Sequence, residues 1–113
     1  MKITYMYKNE PVAEITTSID SDKVFVYQIR HELMDKPFGG LSEVSSAMLE
    51  EFLESRCFPR ERHSCKQLLK ELGLDIYDPL SIVLKTHGQQ YDDYYWLKFE
   101  GAEVDWDDIK MRT

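Results

Sequence analysis

Cysteine is the first scarcity. Cys57 and Cys65 alone, in 113 residues, cannot make a disulfide scaffold. The fold must rest on an apolar core, and a chain of this length buries roughly 65% of its unfolded surface, enough to build one. Both thiols are expected to be free. Four prolines and five glycines are too few for a loop-dominated or low-complexity protein. No apolar run approaches the ~20 residues of a membrane-spanning helix, and MKITYMYKNE lacks the apolar block of a secretory signal, so a cytoplasmic setting is expected, with no membrane partner. Basic residues are also in short supply: 14 Lys and Arg face 21 Asp and Glu, a net charge of −7. Generic nucleic-acid binding runs on cations against phosphates and is disfavoured. Phosphate loops, dinucleotide fingerprints, HExxH and GxSxG are all absent.

What is present is an ordinary globular composition, 42% apolar and 12% aromatic, read as one domain over residues 1–113. Ile3, Tyr5 and Tyr7 alternate with polar neighbours, Asn9-Glu10-Pro11 interrupts, and residues 12–17 and 24–29 read as two further strands. Short connections make these an antiparallel meander. Leu41, Val44, Met48, Leu49, Phe52 and Leu53 predict an amphipathic helix over about 42–56, capped by Ser42 or Ser45. Beyond Pro59, a second helix is predicted over about 60–72, with Cys65, Leu68, Leu69 and Leu72 as its buried stripe and Gly73 as its stop. A third begins at Asp78-Pro79 and ends near Gly88. Residues 94–99 read as a strand, and 105–109 as a short final helix with acids at its start. The fold class is therefore α+β: an N-terminal three-stranded antiparallel meander, central helices, and a C-terminal strand available to join the sheet.

The charge is unevenly spread. Residues 56–70 carry Arg56, Arg60, Arg62, Lys66 and Lys70 against Glu61 alone, a local +4. Residues 91–110 carry seven acids against two lysines, a local −5. Opposed charged faces suit a protein partner. The bland reading of the basic stripe is pairing with Glu54, Glu61 and Glu71 on neighbouring turns. The sharper one is a docking face for an acidic partner or a phosphate. A second candidate face is the aromatic-acidic stretch Tyr91, Asp92, Asp93, Tyr94 and Trp96; a strand sends alternate side chains to opposite faces, so either Tyr94 and Trp96 or Tyr95, Leu97 and Phe99 would be exposed as contact residues. Cys57, His63, Cys65 and His87 lack the paired spacing of a zinc site, and the acids lack that of a calcium loop, so no metal or cofactor is expected. Cys57 has basic neighbours but no indicated oxyanion or orienting group, and His87-Gly88 reads as a helix stop.

FLESRCFPRERHSCKQLLKELGL followed by YDPLSIVLKTHGQQYDDYYWLKF resembles the N-terminal leader of HipA-like proteins from Firmicutes and their mobile elements. The resemblance spans about Phe52–Phe99. It lies in a helix ending "R..P..R", an "LL..LG" helix, a helix ending "THG", and "D.YW". Arg56, Pro59, Arg60, His87, Gly88, Asp93, Tyr95 and Trp96 match it. It implies an accessory or recognition segment rather than a kinase. The expected function is a noncatalytic protein-binding regulator from a phage or mobile element, an accessory or antitoxin-like partner of a HipA-like kinase. The alternative is an acidic, phosphate-mimicking inhibitor of a host defence nuclease, as anti-CRISPR proteins are. From a different class comes a small enzyme using His87 with Asp92 or Asp93.

Overall fold

The computed structural model describes residues 1–18, 21–90 and 93–109. Five strands form one antiparallel sheet: β1 (Lys2–Tyr7), β2 (Glu10–Thr17), β3 (Lys23–Gln28), β4 (Glu43–Ser45) and β5 (Tyr95–Phe99), in the order β4-β3-β2-β1-β5. The N-terminal strands make the meander, and the C-terminal strand joins the sheet beside β1. The helices among the described residues are α1 (Ser46–Ser55), α2 (Cys65–Glu71), α3 (Pro79–Thr86) and α4 (Trp106–Ile109), with a single 3-10 turn at Leu33–Asp35.

The period-two pattern of β1 sets the register. Ile3 sits between Ile15 and Phe99, and Tyr5 between Ala13 and Leu97, so one face of the sheet is continuously apolar. Val24 and Val26 extend that face across β3. Leu49 and Leu53 of α1 and Val83 of α3 complete the same core, four residues apart on α1 as a helical stripe requires.

Three element starts, and the burial of two predicted stripes, differ from the sequence reading. β2 begins at Glu10 and carries Pro11. Proline lacks the N–H that a regular ladder uses, and a register shift between Tyr5 and Met6 removes the need for it. Residues 43–45 are an edge strand rather than the first turn of α1: Val44 pairs with Val24, and Ser45 stays extended while its Oγ accepts the Met48 N–H at 3.2 Å. Within the predicted α1 stripe, Leu41 and Met48 are exposed, because the helix starts after the first and turns the second away from the sheet. α2 begins at Cys65, five residues late, since turn bonds from Arg62 N to Pro59 O and from Cys65 N to Arg62 O occupy the approach and Ser64 gives no side-chain cap. Of its predicted stripe only Leu69 is fully buried; Cys65, Leu68 and Leu72 are half-buried.

The stops are as predicted. Gly73 ends α2 with φ 76°, Leu74 N bonding Leu69 O and Gly73 N bonding Lys70 O, the paired bonds of a Schellman close. Asp78 caps α3 by accepting Ser81 N at 3.1 Å, with Pro79 at the first helical position. At the other end both His87 (φ 59°) and Gly88 (φ 63°) are left-handed, and His87 O accepts Leu97 N at 2.7 Å, tying α3 to β5.

Gly73 and Gly88 separate backbone strain from crowding. A Cβ on Gly73 meets nothing within 4 Å, whereas one on Gly88 lies 3.0 Å from Leu97 Cδ1. Gly73→Ala should cost only the left-handed penalty, about 1–2 kcal/mol. Gly88→Ala adds a clash of about 1–3 kcal/mol in the core. Urea midpoints should order wild type above Gly73→Ala above Gly88→Ala; equal losses would show that Leu97 yields without cost.

Candidate interaction surface

Arg56 follows the last residue of α1, three positions after Leu53, which keeps it on the buried stripe. Its guanidinium is inside: the residue is 6% exposed. Nε donates to Gly88 O at 2.8 Å, Nη1 to Asp93 Oδ2 at 2.9 Å, and Nη2 to Asp93 Oδ1 at 3.0 Å and Tyr95 O at 2.8 Å. Asp93 Oδ1 also accepts Tyr95 N at 3.0 Å. This is a forked arginine–carboxylate pair with its remaining donors on carbonyls. Arg56 and Asp93 therefore leave the list of outward contact residues: both charges are spent on each other and on joining α1, the α3 stop and β5.

Trp96 is the second correction. It is fully buried, and its Nε1 donates to Lys8 O at 2.6 Å. Tyr95, Leu97 and Phe99, on the other face of β5, are buried too, so neither alternating set is exposed. Only Tyr94 remains at the surface, with Lys8 Nζ 4.8 Å above its ring and Trp106 edge-on to it. Tyr91 and Asp92 lie outside the described residues. The acids of α4 partly serve α4 itself, since Asp105 and Asp108 exchange side-chain bonds to each other's N–H.

The basic stripe divides as well. Arg60 is exposed but paired with Glu54 at 3.1 Å and stacked 4.4 Å from the Tyr77 ring centroid. Arg62, Lys66 and Lys70 are exposed, and among the described residues none of them forms an ion pair. Glu71, a neighbour proposed to neutralise them, accepts from Gln67 instead. Lys66 and Lys70, four residues apart, thus share one face of α2, while Arg62 stands in the turn that precedes it. Arg62 also borders a pocket of about 340 Å³ between the 56–59 segment, α2 and α3, lined by Phe58, Pro59, Leu68 and Ile82.

The reactive side chains sit in structural roles. Cys57 and Cys65 are free thiols. Cys57 Sγ donates to Leu53 O at 3.2 Å, and burial, followed by the Glu54 charge, pushes its thiol up to about 11, away from a nucleophile. His87 makes no ion pair with Asp93; its Nδ1 is buried without a hydrogen-bond partner among the described residues, and its ring stands edge-on to Trp96 at 6.3 Å. Among the described residues no three His, Cys, Asp or Glu side chains are placed to hold a metal ion, and no helix is long and apolar enough to cross a membrane.

Sequence reasoning passed over one polar cluster. Asp35, 1% exposed, accepts the Tyr95 hydroxyl on Oδ1 at 2.6 Å. Arg30 Nε lies 3.1 Å from its Oδ2 but off the line of a hydrogen bond, so that contact is an ion pair only. Burial, reinforced by the bond to Asp35 and its charge, raises the Tyr95 phenol pKa. The segment around Asp35 is aperiodic, and nothing in it announced a buried acid. Comparison of the chain with family models, with curated proteins and with solved structures finds no match.

Arg56→Met should destabilise by about 3 kcal/mol, because it strips the donors from Gly88 O, Tyr95 O and the partly buried Asp93 carboxylate. Arg56→Met combined with Asp93→Asn should cost less than the two single changes together, measured by urea unfolding; strict additivity would mean that the pair does not act as a unit. A second expectation concerns pH. Burial holds the His87 pKa below its ordinary 6.5, so the unfolded chain takes up the proton first. Stability from this source is complete above pH 6.5 and is lost as pH falls towards the lowered folded value. His87→Asn keeps a residue suited to the left-handed stop and removes the titration. From about pH 7.5 to about pH 5 its melting temperature should fall less than that of the wild type; parallel curves would refute the assignment.

Proposed function

We propose that this chain is a noncatalytic protein-binding regulator that docks an acidic partner on the α2 face. The observation that carries this is the set Arg62, Lys66 and Lys70: exposed, unpaired among the described residues, and evenly spaced in a chain of net charge −7. Neutralisation by neighbours would have removed the need for a partner, and among the described residues it does not occur. Such a field speeds encounter with a negative surface and selects against positive ones. A cytoplasmic setting fits two free thiols.

The partner class we favour is a HipA-like kinase, with the chain as its accessory or antitoxin-like subunit. The support is the resemblance over Phe52–Phe99, which includes all of α2 and the residues that position it. The phosphate-mimic reading draws on the acids near β5. It is weakened where Asp93 is bound to Arg56 and where Asp105 and Asp108 bond to each other.

Arg62→Glu, Lys66→Glu and Lys70→Glu in one chain should leave the melting temperature nearly unchanged, since exposed substitutions shift stability by about 0.5 kcal/mol or less. Affinity for a co-purified kinase-like partner should fall about tenfold or more, and wild-type binding should weaken as salt rises. The measurement is titration calorimetry after pull-down. Unchanged affinity in the triple variant would remove the α2 face from the interaction, and recovery of a nucleic-acid-cleaving partner in place of a kinase would favour the inhibitor reading.

A further inference from the structure

β3 carries more apolar surface than the fold covers. Val24, Phe25, Val26 and Tyr27 form an unbroken apolar run, the pattern of a strand buried on both faces. Only one face is buried. Val24 and Val26 join the core, while Phe25 and Tyr27, on the other face, are 48% and 69% exposed. The register continues this outer face across the sheet as two rows. In the first, Phe25 stands between Glu43 and Thr16, and Thr16 pairs with Lys2. Glu100 N bonds Lys2 O, which sets Glu100 level with that row. In the second, Tyr27 pairs with Glu14, Glu14 with Thr4, and Thr4 with Lys98. With Lys23, two residues before Phe25, the face holds three lysines and three glutamates, no net charge in a chain at −7. Lys2 and Glu14 pair with each other; Lys98 and Glu100 form no ion pair among the described residues.

We propose that this outer sheet face is a twofold contact with a second copy of the chain. The two rows are complementary to each other. A twofold axis running across the strands, between the rows, lays each row on the other row of the second copy. Phe25 of one copy then covers Tyr27 of the other, Lys98 meets Glu100, and Thr16 meets Glu14. No like charges are directly opposed, and every contact occurs twice. The charged faces elsewhere cannot close on themselves in this way. Two copies of the α2 face would set lysine against lysine, and two copies of the acidic stretch around α4 would set acid against acid. Sheets packed face to face lie about 10 Å apart with strands within about 30°, so outward side chains interdigitate. The Phe25–Tyr27 contacts supply the apolar part of the interface. Five strands at about 4.8 Å spacing span only about 19 Å, so the contact is small and the dimer is weak and concentration-dependent. The inference does not draw on the docking role of α2.

The measurement is sedimentation equilibrium of the purified chain under reducing conditions, from about 5 to about 500 µM. The wild-type mass should rise with concentration from one copy towards two. Phe25→Lys combined with Tyr27→Lys should stay at one copy throughout. Both side chains are exposed, so this variant is expected to fold, with circular dichroism as the check. Lys98→Glu alone and Glu100→Lys alone should each weaken self-association about tenfold, since each sets like charges together at two places. Glu100→Lys also brings the net charge from −7 to −5, so its weakening cannot come from general repulsion between acidic chains. The exchanged pair, Lys98→Glu with Glu100→Lys, should restore the dimer, and failure to do so would overturn the row-on-row contact. A mass of one copy at every concentration would overturn the interface, as would a dimer that survives Phe25→Lys with Tyr27→Lys. If the wild type stays a single copy while that double variant loses a captured protein partner, the face belongs to the partner and the second-copy contact is refuted.

Discussion

The forked pair between Arg56 and Asp93 is the contact on which the arrangement of the helices depends. Four hydrogen bonds leave one guanidinium, and they reach the left-handed stop of α3, the residue that precedes β5 by two, and the first carbonyl of β5. Taking a charge out of water costs several kcal/mol, and an arginine side chain recovers this only when its donors are matched. Here they are matched by groups that are 32 to 39 residues away in sequence. The pair therefore contributes specificity at least as much as stability. It fixes where the chain leaves α1, and with that the direction of the 56–59 segment that leads to α2.

β5 is the hub of the polar interior as well as a strand. The Tyr95 main chain binds Asp93 through its N–H and Arg56 through its carbonyl, while its hydroxyl binds Asp35 on the opposite side. Its ring stacks on Tyr5 at 4.9 Å, and burial, opposed by the Arg56 charge, lifts the Tyr5 phenol to about 12. Both phenols thus stay protonated at neutral pH, which keeps the proton that the Tyr95 hydroxyl donates to Asp35. A buried acid and a buried arginine are held on either side of one tyrosine: a substitution at residue 95 takes the hydroxyl from Asp35, while the main-chain bonds to Asp93 and Arg56 stay available.

The sheet was legible because its signals are local. Alternation in Lys2–Tyr7 and Lys23–Gln28, the Asp78-Pro79 start and the Gly73 stop each need only a few neighbouring residues. What could not be read was long-range. Whether Trp96 is inside depends on both faces of β5 being covered, and alternation cannot report that. The bulge that admits Pro11 depends on Tyr5 and Met6 of another strand. Arg56 is different, because its signal was present. It falls seven residues after Leu49 and three after Leu53, on the apolar stripe, and was assigned to the surface only because it is charged. A cation at a core position of a helix implies a buried partner, and the nearby acids could have been searched for one. Of the candidate interaction residues, Arg62, Lys66 and Lys70 were legible as exposed charges, but not that Arg62 would fall in the turn before α2. The pocket beside Arg62 was not legible, since α2, α3 and the 56–59 segment meet there only in the folded chain.

The α2 stripe is the feature the fold does not need. A helix of seven residues is far shorter than the ~12–15 at which isolated helices become marginal in water. It is anchored by a single fully buried side chain, Leu69, and by its glycine close. Lys66 and Lys70, four residues apart, repel each other and lower helix stability by a few tenths of a kcal/mol. Lys70 gains a little from its place in the last turn; Lys66, in the first, faces the positive end of the helix dipole. Selection for stability alone would put acids near the start of such a helix, or pair its cations as Arg60 is paired with Glu54. The chain has acids in surplus and does not use them there. A charge pattern that costs stability, on an element with little stability to spare, is what the proposed docking role requires and what stability alone would not select.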